Sequence, residues 1–530
     1  MGPLVRQVLV VSALVVAAAA APSSALAAAC PAVVTPAQLM SQAQLRALND
    51  QEWRLGPRPT ASPAQTKFIN LLERRMRVLP GMRTRSVRYS IHRWQERSTT
   101  LRLGGADVPV AGAVPYSRAT GTIGITAPLA EVPRDQGITA ANAAGRIVVR
   151  DATPAQVPLA VFFPGVLGRS VFDPGATLSR DAPFQRDFLS YDARMKDLRD
   201  AQAAGAAGVL FLMDLPREQV AGHYAPYEGV HWGVPGAYLG ADEGARVRAA
   251  LADGGAPAAT LAVDATTRAA TTRMVLATLP GMSRQRLVVE SHTDGANAVW
   301  DNGPVAMIAM AQYLARLPRT CRPRTVEFAF TTGHLYQRLR GTSVRDGSAE
   351  LLAEQLDRDY DRGTVAGVIA VEHLGARQYE PVARADGGPG HVLQQTGLPE
   401  LTLVGVTDST PLVRAVSAVV RRHDLRRTAL IEGADLAGAH VPPHCTLGGE
   451  GTSYDKHLLP TVGVIAAPAT LYDPSFGLEG IDFGEMRAQM LALTDLTLAL
   501  GRLDRAAIAG KITQYRAQRR QGAAGCPEHA

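Results

Sequence analysis

Residues 287–317 read LVVESHTDGANAVWDNGPVAMIAMAQYLARL, and the pattern changes twice along the stretch. The apolar run 287–289 fits the end of a buried strand, and Pro304 opens a segment with Met307, Met310, Ala311 and Leu314 at helical spacing. Between them, residues 290–303 hold His292, Asp294 and Asp301 with little bulk around them. A polar loop leaving a sheet is one reading. Half of a metal site, completed downstream, is the other: His292 can give a neutral imidazole nitrogen, Asp301 a carboxylate able to bridge two ions, and Asp294 is placed to orient the imidazole. Gly295, Ala296 and Ala298 let the backbone wrap closely.

Downstream the same alternation recurs. TVEFAFTT (325–332), GVIAVE (367–372), LTLVGV (401–406), TALIE (428–432) and VGVIAA (462–467) read as strands separated by helices. This predicts an α/β domain with a mostly parallel sheet flanked by helices, its site beyond the C-terminal strand ends. Upstream, Phe68, Leu71, Leu72 and Met76 mark one face of a helix, and RSVRYSIHRW (85–94) alternates as a strand.

From about residue 121 to 278 the texture differs. GRIVVRDA (145–152) reads as a strand, 194–214 as a helix running into a second strand, and 234–251 as a third strand turning into a helix. The order resembles a protease-associated (PA) domain, a small β-rich module without catalytic residues that serves as a lid or docking surface. The expected division is a leader at 1–29, an N-terminal part of the main domain at 30–120, the PA domain at 121–278, the main domain at 279–510 and a C-terminal tail at 511–530.

The leader is read from Arg6, the apolar core 8–21 and the small residues Ala25-Leu26-Ala27. A secreted or extracytoplasmic location follows, with no spanning segment after cleavage. Cys30 just after the leader raises a lipid anchor, against which stands Ala27 where a lipobox prefers leucine. The cysteines Cys30, Cys321, Cys445 and Cys526 lack the close spacing of zinc-binding pairs and suit two disulfides. Three connectivities are open; Cys30 with Cys526 and Cys321 with Cys445 is the one favoured. The +7 formal charge comes almost wholly from arginine, with no basic block interleaved with aromatics, so nucleic acid is not implied.

The block at 290–317 resembles the H-x-D…D-N-x-x-G block of the M28 zinc aminopeptidase family, and RLGPRPTASPAQTKFINLLERRM (54–76) resembles that family's N-terminal segment and first helix. The likeness spans about residues 45 to 505 and implies a zinc exopeptidase-like fold with the PA module inserted. It implies His292 and Asp301 as ligands, Asp301 bridging two zinc ions. After VEFAF, however, His334 stands where the family has its general-base Glu, and Leu335 where it has a ligand. Glu372 takes the place of a later Asp ligand. Near the end, Glu450 and Gly451 fall on the terminal Asp and His positions, with His457 a substitute only if the loop is reshaped.

By this likeness one site survives, on His292, Asp301 and Glu372, and the other is degraded. His334 then acts as the base in place of Glu, or is a histidine left over in the cleft. His373 and His457 read as ordinary hydrogen-bonding residues. The expected activity is that of an exported metallopeptidase of aminopeptidase type with one divalent ion, zinc, acting on peptides or proteins. The alternative is a non-catalytic protein that binds peptides or proteins through its PA domain and cleft.

Overall fold

The computed structural model describes residues 30–253, 255–341, 347–433 and 440–527; the leader expected at 1–29 lies outside them. Four strands form the middle of a mixed sheet flanked by helices. Ser283–His292 runs parallel to both Arg324–Thr331 and Val365–Val371, and the latter runs parallel to Thr461–Ala466. Arg324–Thr331 and Val365–Val371 are buried throughout, as expected of strands covered on both faces. Because the four are parallel, their C-terminal ends share one edge, where His292 pairs with Thr331 and Val371 with Val464. That edge carries the candidate site.

Helices cover this core as the pattern predicted. Gly303–Arg316 has Pro304 in its first turn, where the missing N–H costs nothing, and is buried on nearly all sides. Pro63–Arg77 starts at Ser62, whose hydroxyl accepts from the Gln65 N–H, and turns Phe68, Leu72 and Met76 into the same core.

The segment 121–278 is less independent than its sequence suggests. Ile125–Glu131, Ile147–Asp151, Gly208–Leu212 and Gly236–Leu239 lie parallel side by side, with helices Tyr191–Ala203 and Ala241–Ala252 at the expected places. Yet the long strand Ala258–Leu279 pairs with Ile125–Glu131 near its start and with Arg324–Thr331 at its end, so both regions share one sheet. Arg83–Leu103 runs antiparallel along almost all of Ala258–Leu279. Residues 156–185 also leave the unit: Gly168–Phe172 pairs with Thr428–Ile431 at the far edge, and Leu159, Phe162, Leu178 and Phe184 pack on Leu401, Ala429 and Ile431.

The favoured disulfide pairing is corrected. The disulfides are Cys30–Cys321 and Cys445–Cys526. The first residues dock along the helix Phe483–Arg502, where Arg502 donates to the carbonyls of Pro31 and Ala32, and Arg324 donates to Leu500 O at the same helix's end. That brings Cys30 to Cys321. At the other terminus Val441 N–H donates to Ala524 O, which sets Cys526 beside Cys445. The part of the expected C-terminal tail that is described, 511–527, carries the helix Ile512–Arg520, which buries Arg516 and pairs Arg519 with both oxygens of Asp357 at 2.9 Å.

Proteolysis under non-reducing conditions should release linked peptides containing Cys30 with Cys321 and Cys445 with Cys526. Replacing Cys445 and Cys526 by serine should cost about 2–5 kcal/mol in a denaturant titration.

Candidate metal centre

His292 ends its strand with the ring wholly buried. Its Nδ1 lies 2.9 Å from the carbonyl oxygen of Asp294. A carbonyl only accepts, so Nδ1 carries the proton and Nε2 points the other way, 3.5 Å from Oε2 of Glu372. Glu372 follows directly on its own strand. Its other oxygen accepts the Glu450 N–H at 2.6 Å. Gly449 makes this approach feasible: its φ is +51°, and a Cβ there would stand 2.0 Å from Glu372 Oε1.

His334 sits three residues beyond its strand, its ring stacked on that of His292 with centroids 3.9 Å apart and planes 8° from parallel. Its Nδ1 is 2.5 Å from Glu450 Oε1. One donor atom each from His292, His334 and Glu372 lies within 4.8 Å of the others. The His292 Nε2 and Glu372 Oε2 atoms are buried without a hydrogen-bond partner. Two such atoms facing each other are the environment a divalent cation fits, since unpaired buried polar atoms are costly.

Without a metal, the buried charges of His292 and Glu372 balance each other. Burial, the largest influence, pushes the His292 imidazole down, but Glu372, Glu450 and Asp294 together push it up to about 10. For Glu372 burial pushes up, and His292, His373 and His334 outweigh it to hold the carboxylate down to about 2. Burial also drives the carboxyl of Glu290, beside Glu450 and Glu372, well above the usual range, although Thr331 donates to it at 2.6 Å.

The other expected residues fall differently. Asp294 orients the His292 ring through its main-chain carbonyl; its carboxylate instead accepts from the Thr60 hydroxyl and from the Leu335 N–H at 2.9 Å. Asp301 meets no histidine of the group. Arg58 takes both its oxygens, Nε to Oδ2 at 2.7 Å and Nη2 to Oδ1 at 2.5 Å, and also pairs with Glu52, with no side-chain exposure in any of the three. The Arg58 positive charge held against both Asp301 oxygens opposes a bridging role between two cations. Glu450 joins the site through His334. His457 does not: it pairs with Glu350 at 2.8 Å and faces Asp357 at 3.9 Å.

Leu335 is a fully buried core residue, clustered with Ala296, Trp300 and Tyr336. Tyr227, from the region between Gly208–Leu212 and Gly236–Leu239, stacks on His334 at 5.4 Å, and Trp300 meets the same ring edge-on at 6.3 Å. Sequence reading assigned no role to Arg58, Glu52, Glu290 or Tyr227. A signal for Arg58 existed: it stands between Pro57 and Pro59 inside the very segment that resembles the family.

No protein-family model and no curated protein matches the chain. Solved structures do match it in fold. An aminopeptidase from Aneurinibacillus sp. strain AM-1 superposes with a TM-score of 0.54 at 14% identity, over 88% of this chain and 95% of that one. A zinc aminopeptidase from Bacillus subtilis gives 0.55 at 16%, over 86% and 94%. A Peptidase M28 precursor from Shewanella amazonensis gives 0.58 at 14%, over 92% and 99%. The fold is thus that of M28-type zinc aminopeptidases along most of the chain.

Three outcomes are expected. Arg58→Ala strands the buried Asp301 charge and should destabilise the fold by about 3–5 kcal/mol in urea unfolding. Metal uptake must remove the Nε2 proton from His292, so near pH 7.5 it should release about one proton, measurable as a buffer-dependent binding enthalpy. In metal-free protein the raised His292 pKa contributes stability that is complete below about pH 6.5 and lost as pH rises toward 10. Thermal midpoints should fall over that window.

Proposed function

We propose that the chain is an exported peptidase-type hydrolase that uses one divalent ion, zinc, and cleaves residues slowly from peptide N-termini. The observation that carries this reading is the buried, unpartnered pair of His292 Nε2 and Glu372 Oε2, with His334 in reach, on a fold shared with zinc aminopeptidases. Export is supported by the leader-like N-terminus and by two disulfides, and among the described residues no helix is long and apolar enough to cross a membrane.

His292 and Glu372 would hold a divalent ion, which when bound would supply Lewis-acid polarisation of a peptide carbonyl and a better water nucleophile. The remaining work falls to side chains. Glu450 accepts the Nδ1 proton of His334, which leaves the opposite ring nitrogen to take a proton from water and return it to the leaving amine. Tyr227 and Trp300 flank that ring and limit its exposure to bulk water. The Asp294 carbonyl fixes the His292 tautomer.

Low turnover follows from the Arg58–Asp301 pair. With Asp301 unable to bridge, a second ion that would share the developing charge has no ligand there. A deficit of about 4 kcal/mol corresponds to roughly a thousandfold in rate. The same pair, with Leu335 in the core, favours the second reading of a peptide-binding protein without hydrolysis.

Zinc-loaded protein assayed on a chromogenic leucyl amide should show slow release that a chelator abolishes and that Glu450→Gln lowers about tenfold or more. Release indistinguishable from buffer, together with saturable binding of the peptide, would establish the binding role instead.

A further inference from the structure

A cavity of about 380 Å³ is walled by residues of the 156–185 excursion, by the hairpin of Arg377–Ala383 and His391–Pro399, and by Arg427. Its volume falls in the range of about 300–1,000 Å³ usual for small-molecule sites. Leu159, Phe184, Pro381 and Leu401 make much of the wall apolar, while Glu380, Glu400 and Arg427 bring charge to it.

The two carboxylates are already matched. Arg186 donates to both oxygens of Glu400, at 3.2 and 2.9 Å, and to both of Glu380, at 2.7 and 3.2 Å. Burial also raises the Glu400 carboxyl above the usual carboxylate range, which weakens its negative charge further. Arg427 is different. It stands directly before the strand Thr428–Ile431 with a φ of +54°, and its carbonyl accepts the Thr402 N–H at 2.9 Å, so the backbone that carries it is fixed to the sheet. The residue is only 4% exposed, yet it makes no ion pair among the described residues. Its Nη1 donates to the carbonyl and hydroxyl oxygens of Thr177 at 3.1 and 2.8 Å. Nε is buried without a partner, and among the described residues Nη2 makes no hydrogen bond. Asp173, the other carboxylate acting on this guanidinium, accepts from the Thr177 hydroxyl at 3.0 Å and the Leu178 N–H at 2.7 Å. A buried guanidinium with one edge idle is costly until an acceptor reaches it.

We infer that this cavity binds a monocarboxylate with an apolar body, its carboxylate received by the Nε–Nη2 edge of Arg427. Such an edge presents two parallel N–H groups that match the two oxygens of a carboxylate. One unmatched cation balances one negative charge. Phosphate, with up to two charges, would lie beside Glu380 and Glu400 with no second cation among the lining residues. The apolar wall covers the rest of the ligand. A free acid and the C-terminal residue of a peptide both carry this chemistry.

The test is isothermal titration calorimetry with hydrocinnamate, its neutral amide and inorganic phosphate, on protein with and without added zinc. The acid should bind at one site whether or not zinc is present. The amide should bind more than about tenfold more weakly, and so should the acid to Arg427→Gln, because a hydrogen bond between charged groups contributes more than a neutral one. Ala182→Trp, which fills the cavity and alters no charge, should weaken the acid likewise and keeps the test decisive should Arg427→Gln fail to fold. N-acetyl-leucine set against an acetylated peptide ending in leucine separates the sources: tighter binding of the peptide assigns a C-terminus, equal or weaker binding a free acid. No binding of the acid, equal binding of acid and amide, or unchanged binding in both variants would overturn the proposal. So would phosphate binding that Arg427→Gln removes, or acid binding seen only with zinc, which would place the acid at His292 and Glu372.

Discussion

Asp301 is a carboxylate with no solvent to share its charge, and whatever balances it decides what the loop around it can be. In this chain the balance comes from Arg58, through two parallel hydrogen bonds that match a planar guanidinium to a planar carboxylate. Arg58 also donates to the carbonyl of Asn297 at 2.8 Å, and its own N–H reaches Gly295 O at 2.8 Å. The N-terminal segment and the loop 293–302 are therefore one unit. Glu52 adds a second carboxyl at the same guanidinium, and burial drives it well above the usual range. A fixed guanidinium thus stands against the carboxylate that the family likeness assigns as a bridge between two ions.

The sheet gives that cluster its setting. Ser283–His292, Arg324–Thr331 and Val365–Val371 end together because they are parallel neighbours, so three side chains far apart in sequence arrive at one edge. Continuing the sheet through Ala258–Leu279 fixes the preceding strands Ile125–Glu131, Ile147–Asp151, Gly208–Leu212 and Gly236–Leu239 against the main core. Tyr227 can then lie over His334 as part of the same packed structure. The far excursion of residues 156–185, clamped at Gly168–Phe172, adds a second attachment.

Much of this was legible in the sequence, and the limits have physical causes. Strands with continuous apolar runs and helices with an apolar stripe declared themselves, because burial on two faces or one leaves different periodicities. His292 and Glu372 were identifiable as neighbours of strand ends. The bridging role expected of Asp301 was not reproduced, since no local pattern tells whether a carboxylate will meet a metal or an arginine from another segment. The disulfide pairing failed for the same reason: it depends on where the terminal residues dock, along Phe483–Arg502 and beside Val441, and spacing carries no information on docking. His373 read as an ordinary hydrogen-bonding residue. Its Nδ1 makes an ordinary bond to Ala466, and only the structure shows what its other nitrogen faces.

The departures from the family pattern also fit one another. A second ion would need Asp301 shared, a carboxylate at position 335 and an imidazole at position 451. Here Asp301 is closed by Arg58, Leu335 fills the core beside Trp300, and Gly451 packs so tightly that a Cβ would stand 3.1 Å from the backbone of Gly463. Restoring any one of these alone would leave a charged or bulky group buried without its partner, which costs more than the lost interaction itself. The three positions are therefore coupled through space. Among the described residues the group at this edge that could hold a cation is His292, His334 and Glu372, with Nε2 of His292 and Oε2 of Glu372 buried without a hydrogen-bond partner.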